Sequence, residues 1–207
     1  MAYDLEEQEE LDALKQWWAK NGNAVLVAIV VAIVAYVGVQ AWKNHQNKQS
    51  LEASVRYQQL VATPSNNLKA IQSLSAQLMD NYAGTPYAGR AAVTAAKANY
   101  AAKDSKSAKA QLQWAIDNAD EAAVQSVARL QLAAIYLDEK AYDQALKTLD
   151  KKHVGFEGLF ADMKGDILVA QGKTSDAKQA YQEALAQLDA QGEYRQYVAH
   201  KLEALGG

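Results

Sequence analysis

The side chains that could carry out chemistry are few and scattered along the chain. Its three histidines, His45, His153 and His200, lie far apart, and none stands at metal-ligand spacing with a carboxylate. There is no cysteine, which excludes disulfides and cysteine nucleophiles and argues against a zinc site. The sequence also has no glycine-rich phosphate loop and no serine elbow. We therefore expect no metal and no cofactor.

The acidic residues offer the only close pairs. Asp162 and Asp166 are one helical turn apart, and Asp104 stands next to Lys103 and near Lys106. Such spacing is common on a solvated helix face. With no nucleophile or histidine to join them, these residues do not define a catalytic site, and we predict that the protein is not an enzyme.

Composition predicts an all-α protein. Half of the 207 residues are hydrophobic, alanines are frequent and there are only two prolines, which favours helices over strands. The formal net charge of −3 gives no sign of nucleic-acid binding. Composition and net charge therefore indicate a helical protein but do not indicate its function.

One segment is apolar enough to cross a membrane. No charged side chain occurs between Asn21 and Trp42, and ten of the nineteen residues 24–42 are Val, Leu or Ile. At about 1.5 Å per residue, this run matches a hydrocarbon core of about 30 Å. Trp17 and Trp18 precede it and Trp42 closes it, as in an interfacial aromatic belt. We predict a single transmembrane helix over 23–42, since the preceding tail is acidic rather than basic as in a signal peptide.

The N-terminal tail, residues 1–22, carries six acidic residues and two lysines. The spacing of Leu5, Leu11, Leu14 and Trp18 is compatible with a short amphipathic helix at the interface, and a solvated disordered tail is an equal alternative. Basic residues are almost evenly divided between the two sides of the span, so charge alone leaves the orientation open.

Beyond the span, the sequence predicts a linker helix over 43–62 and a repeat domain over 63–207. Apolar residues recur every three or four positions, which predicts consecutive amphipathic helices. The candidate helices are 45–62, 66–82, 87–102, 105–118, 121–138, 142–151, 157–171 and 174–190. Residues 165–188 resemble a tetratricopeptide repeat, with small residues at Gly165 and Ala177 and an aromatic residue at Tyr181.

The preceding segments fit the same register. Ala133, Tyr136 and Ala145 match the second unit well, and Ala96 and Ala108 match the first more loosely. Each such unit buries its apolar face by stacking on the next. The predicted fold is therefore a transmembrane helix followed by a tetratricopeptide-repeat-like α-solenoid, with a generic alanine-rich helical bundle as the alternative.

In such arrays, the first helix of each unit lines a concave groove where partners bind. The register predicts a partner-binding groove with a basic entrance, an apolar middle and an acidic exit, suited to a chaperone-like partner or an extended chain. The alternative is that the same residues pack against the domain's own helices. The predicted groove residues are Arg90, Val93, Lys97, Tyr100, Val127, Leu130, Leu137, Asp162 and Asp166, with Ala134, Leu159 and Val169 beside them.

The whole layout resembles the YfgM family of bacterial inner-membrane proteins, ancillary subunits of the SecYEG translocon. The likeness is carried by the acidic tail with Trp17-Trp18, the Asn21-Gly22 pair before the span, the stretch from Trp42 through Asn44-His45-Gln46, and Tyr87-Ala88. The resemblance implies an inner-membrane anchor with a cytoplasmic N-terminus and a periplasmic repeat domain. It also implies work beside the translocon with a PpiD-like membrane-anchored chaperone. A membrane-tethered scaffold for another envelope-assembly or haem-pathway complex is the alternative function.

Overall fold

The fold was obtained as a computed structural model that describes residues 2–150 and 155–206. In these ranges the chain forms helices and no strand, as the composition predicted. His153 lies outside the described residues. The helices are α1 (Ala2–Ala62), α2 (Leu68–Asn81), α3 (Pro86–Ala101), α4 (Ser105–Asn118), α5 (Ala122–Asp138), α6 (Tyr142–Thr148), α7 (Glu157–Ala170), α8 (Thr174–Gln187) and α9 (Glu193–Ala204).

The first compact unit, Met1–Lys48, is formed by the greater part of α1. The tail is helical from Ala2 onward, so of the two expectations for this segment the helical one describes its backbone. Among the described residues, α1 is the one helix long and apolar enough to cross a membrane. Between Leu26 and Trp42 the large apolar side chains of α1 are exposed, with Val34 at 66% and Tyr36 at 72% of their full accessible surface. A helical segment whose large apolar side chains are not covered by protein is suited to a lipid environment.

The second compact unit, Gln49–Gly207, begins inside the stretch that the sequence assigned to a linker. Ala53 and Leu60 of α1 are buried in one apolar cluster with Ile71 and Leu78 of α2. Tyr82 joins them, and its hydroxyl donates a hydrogen bond to Glu52 at 3.1 Å. Ala53 and Leu60, which lie in the predicted linker helix over 43–62, are therefore part of the apolar core of the second unit.

The following helices form the predicted pairs, with α3 packed on α4, α5 on α6 and α7 on α8. Ala108, Ala133, Ala145 and Ala177 of these pairs are fully buried. Gly165 shows why a position between paired helices must be small, because a Cβ added there would overlap the ring of Tyr181. The contact of Gly165 on α7 with Tyr181 on α8 agrees with the register predicted for the last pair.

The first helix of each pair ends in the same way. Lys103, Lys140 and Gly172 have φ values of 67°, 59° and 74°, in the left-handed region. The amide that follows each of them donates to the carbonyl five residues earlier, as Lys173 does to Leu168 at 2.9 Å. Of these three residues, only Gly172 indicates a positive φ by its residue type, because glycine adopts this region without steric cost.

The last helix, α9, was missed, because the predicted helices stopped at residue 190. Val198 of α9 is fully buried in the cluster of Ala177 and Tyr181, and Leu202 and Leu205 pack beside it. The spacing of these three apolar residues would have revealed the helix. Unlike α3 to α8, α9 is not paired with a following helix as part of a predicted repeat unit.

Overpacking at Ala177 tests the register of the last pair. Ala177→Leu forces three additional carbons into a fully buried crossing and should lower the free energy of unfolding by about 1–3 kcal/mol. The measurement is urea unfolding of the full chain in neutral detergent, followed by circular dichroism. Ala186→Leu, at an exposed position on the same helix, is the matched control and should change stability by less than about 0.5 kcal/mol. Equal midpoints for the two variants would contradict the assigned crossing.

Candidate partner-binding groove

Two open cavities lie between α3 and α5, and together we call them the α3–α5 groove. The first has a volume of about 310 Å³ and the second about 290 Å³. The first is lined by Tyr57, Arg90, Val93, Thr94, Glu121, Ala123, Val124 and Val127. The second is lined by Ala96, Lys97, Tyr100, Leu112, Gln131, Ala134, Ile135 and Asp138. Most of these side chains are apolar, so the groove offers apolar surface with a few polar groups at its edges.

The charge at the first cavity is balanced within the protein. The Arg90 guanidinium donates two hydrogen bonds to the Glu121 carboxylate, at 2.8 and 2.6 Å. This bidentate pair raises the pKa of Arg90 above its ordinary value, chiefly through the hydrogen bond to Glu121. The basic entrance expected from Arg90 is therefore an ion pair, and Val93, Val124 and Val127 provide the binding surface beside it.

The second cavity combines a cation with a carboxylate. The Tyr100 hydroxyl donates to Asp138 at 2.6 Å, and this hydrogen bond raises the pKa of Tyr100. Lys97 is exposed at the rim, and no described carboxylate lies within ion-pair distance of it. Ala96 and Ala134 leave room for an apolar side chain between these polar groups.

The expected acidic exit is covered by α9. The Lys201 ammonium lies 2.9 Å from an Asp162 carboxylate oxygen and 2.8 Å from one of Asp166. Tyr194 donates to Asp162 at 2.6 Å, and Tyr181 donates to Asp166 at 2.7 Å. Asp162 retains only 2% of its accessible surface, so it cannot reach a partner while α9 is docked. For this residue, packing against the domain's own helices is what the structure shows.

We call Lys201, Asp162, Asp166, Tyr181 and Tyr194 the Lys201 network. The pKa values of its lysine and its two tyrosines are all raised. Burial raises the pKa of Tyr181 and of Tyr194 well above 10.0, and the hydrogen bonds to Asp166 and Asp162 act in the same direction. Burial lowers the pKa of Lys201, but its hydrogen bonds to Asp166 and Asp162 outweigh that effect, and the net change is upward. The network is thus a structural contact that fixes α9.

The structure therefore divides the predicted site residues into three sets. Arg90, Val93, Lys97, Tyr100 and Val127 line the α3–α5 groove. The predicted set did not include Tyr57, which lies in the predicted linker helix, or Glu121, at the start of the predicted helix 121–138, although both line the first cavity. Leu130 and Leu137 are half-buried and line neither cavity, and Asp162 and Asp166 join the Lys201 network.

Nothing in the described part of the chain resembles a metal centre, since no group of three His, Asp or Glu side chains converges there. The two closest carboxylates are already occupied by an ammonium group. The fold and the α3–α5 groove are those of a membrane-anchored, tetratricopeptide-repeat-like protein of the class that binds other proteins.

Comparison with known proteins gives the family. Residues 15–207 match the model of the tetratricopeptide repeat-like domain. The chain is 31% identical over 185 residues to the ancillary SecYEG translocon subunit of Haemophilus influenzae, covering 89% of this chain and 91% of the relative. It is 29% identical to the protein of the same name from Neisseria gonorrhoeae, covering 99% and 100%, and 28% identical to that of Escherichia coli K12, covering 85% of each. No solved structure matched the chain.

The chain belongs to the YfgM family, whose curated members are named ancillary SecYEG translocon subunits.

Removal of the ammonium group tests the Lys201 network. Lys201→Gln leaves two adjacent carboxylates, one of them almost fully buried, without a cation, and should lower the free energy of unfolding by about 3 kcal/mol at pH 7. Urea unfolding of the full chain in neutral detergent measures it. Lys164→Gln, at an exposed position on α7, is the control and should shift stability by less than about 0.5 kcal/mol.

The same network sets the response to alkali. Below about pH 10, folded and unfolded chains both keep the protons of Tyr181, Tyr194 and Lys201, so the network makes its full contribution to the free energy of unfolding. Above this pH the unfolded chain releases them first, and stability falls. Tyr181→Phe combined with Tyr194→Phe should make this fall shallower, and an unchanged slope would count against the assigned hydrogen bonds.

Proposed function

We propose that this protein is a membrane-anchored protein–protein interaction scaffold that serves as an ancillary subunit of the SecYEG translocon and assists periplasmic chaperoning of translocated proteins. The observation that carries the proposal is the similarity to curated ancillary translocon subunits over 85–99% of the chain. A similarity of that extent includes both the membrane span and the repeat domain, so the proposed function applies to the membrane-anchored protein as a whole.

The physical features of the chain support a scaffold rather than an enzyme. The α3–α5 groove is apolar, and its charged groups Arg90 and Glu121 neutralise each other. Binding in such a groove gains free energy from the burial of apolar surface and needs no reacting group. A partner that presents an apolar helix face or an extended apolar chain fits this surface.

For the topology, we propose a cytoplasmic tail over 1–22, a span over 23–42 and a periplasmic domain carrying the repeats. In this orientation the groove faces the compartment into which the translocon delivers its substrates. A PpiD-like membrane-anchored chaperone is the partner we propose for the groove, as the family resemblance implies.

A reporter fusion tests the topology. A reporter that is active only in the periplasm, fused after Gly207, should be active, and the same reporter fused before Met1 should be silent. An inactive C-terminal fusion on a protein that fractionates with the inner membrane would reverse the proposed orientation.

Substitution within the groove tests the function. Val93→Ser with Val127→Ser removes apolar surface from the first cavity and should reduce co-purification of the chaperone partner by about tenfold, which corresponds to about 1.4 kcal/mol. The measurement is recovery of SecYEG subunits and of the PpiD-like chaperone with the full chain in mild detergent.

The matched control is Val55→Ser with Val61→Ser, which makes the same chemical change at exposed positions that line neither cavity. An equal loss of partner recovery in the two double variants would indicate a general effect on the fold. Crosslinking should identify the partner from position 93 and not from Lys178 on α8. Failure to recover any SecYEG subunit with the unaltered chain would refute the translocon assignment itself.

A further inference from the structure

A third cavity lies between α4, α5 and α6, and its chemistry differs from that of the α3–α5 groove. Its volume is about 350 Å³. It is lined by Gln113, Ile116, Arg129, Leu132, Tyr136, Gln144, Lys147 and Thr148. We call it the Arg129 cleft. Two cations, two amides and a hydroxyl group surround an apolar floor, and none of the eight lining residues is acidic.

Within the described part of the chain, neither cation of the Arg129 cleft has a counter-charge at ion-pair distance. No described carboxylate lies within ion-pair distance of Arg129 or Lys147, and neither donates a hydrogen bond to another described side chain. By contrast, Arg90 in the α3–α5 groove is held by Glu121 and Lys201 by two aspartates. The two cations come from different helices, Arg129 from α5 and Lys147 from α6, so the positive charge is a product of tertiary packing.

The surroundings of the cleft keep this positive charge. Gln113 donates to Asp117 at its rim, at 3.0 Å. Lys109 lies over the Tyr136 ring, 5.3 Å from its centre, and is paired with Glu139 at 2.6 Å. These two carboxylates are therefore bonded to Gln113 and Lys109, and neither lies within ion-pair distance of Arg129 or Lys147.

We infer that the Arg129 cleft binds an acidic segment of a protein partner, with a Glu or Asp carboxylate held between Arg129 and Lys147. A guanidinium fork suits a carboxylate oxygen pair, and the lysine adds a mobile second donor. The floor of Ile116, Leu132 and Tyr136 suits the carbon chain beside that carboxylate, a contact that a free phosphate ion could not use. This extends the proposed scaffold function with a second surface, separate from the α3–α5 groove.

Titration of the full chain in maltoside micelles with a fluorescent hexaglutamate peptide tests the inference. Arg129→Gln with Lys147→Gln should weaken binding about tenfold, and binding to the unaltered chain should weaken as salt is raised. The control is Lys164→Gln with Arg195→Gln, which removes the same charge from residues that do not line the cleft. Equal weakening in the two double variants would mean diffuse attraction and overturn the proposal.

Two further arms identify the occupant. Lys147→Gln alone, at an exposed position, should retain the helical content of the chain and still weaken binding about threefold. Inorganic phosphate and soluble dihexanoyl phosphatidylglycerol are added as competitors. Unlabelled hexaglutamate is the reference competitor. If phosphate or the lipid displaces the fluorescent peptide at a lower concentration than unlabelled hexaglutamate does, the ligand is a phosphate or a lipid headgroup, and the assignment to an acidic protein segment is wrong. The titration does not involve the translocon, so its failure and the failure of the proposed function are distinguishable.

Discussion

The close crossing of paired helices is the contact on which the repeat domain depends. Ala145 and Ala177 are fully buried, and at Gly165 even a methyl group would meet the Tyr181 ring. Because the backbones approach so closely, larger residues on the flanks can interlock between neighbouring units. The cavities between units, including the α3–α5 groove, are what this packing leaves unfilled.

Different elements cover the apolar faces of the first and the last unit of the domain. At the N-terminal end, the last turns of α1 supply Ala53 and Leu60 to the first core cluster. At the other end, α9 covers the last pair with Val198 and brings Lys201 to two aspartates. A stacked array needs such terminal elements because its outermost apolar face would otherwise meet water.

Charge is distributed unevenly over the surfaces that result. The Lys201 network and the Arg90–Glu121 pair neutralise ions within the protein, whereas Arg129 and Lys147 remain without a described counter-charge. The apolar groove and the basic cleft are lined by different residues of the same two helix pairs, which would let one scaffold hold two partners of different chemistry. The partly exposed Arg90–Glu121 pair contributes little to stability, whereas the buried Lys201 network is needed to hold α9 in place.

The sequence by itself determined the all-helical class, the membrane-spanning run and the small-residue register of the last two units, because each follows from composition or local periodicity. Only the tertiary structure decided that residues from 49 onward join the core, that Lys201 reaches Asp162, and that Arg129 and Lys147 share a cleft. Lys201 and Asp162 are 39 residues apart in the chain. A side chain's partner at such a separation is set by how the helices stack, and periodicity along one helix contains no information about that stacking.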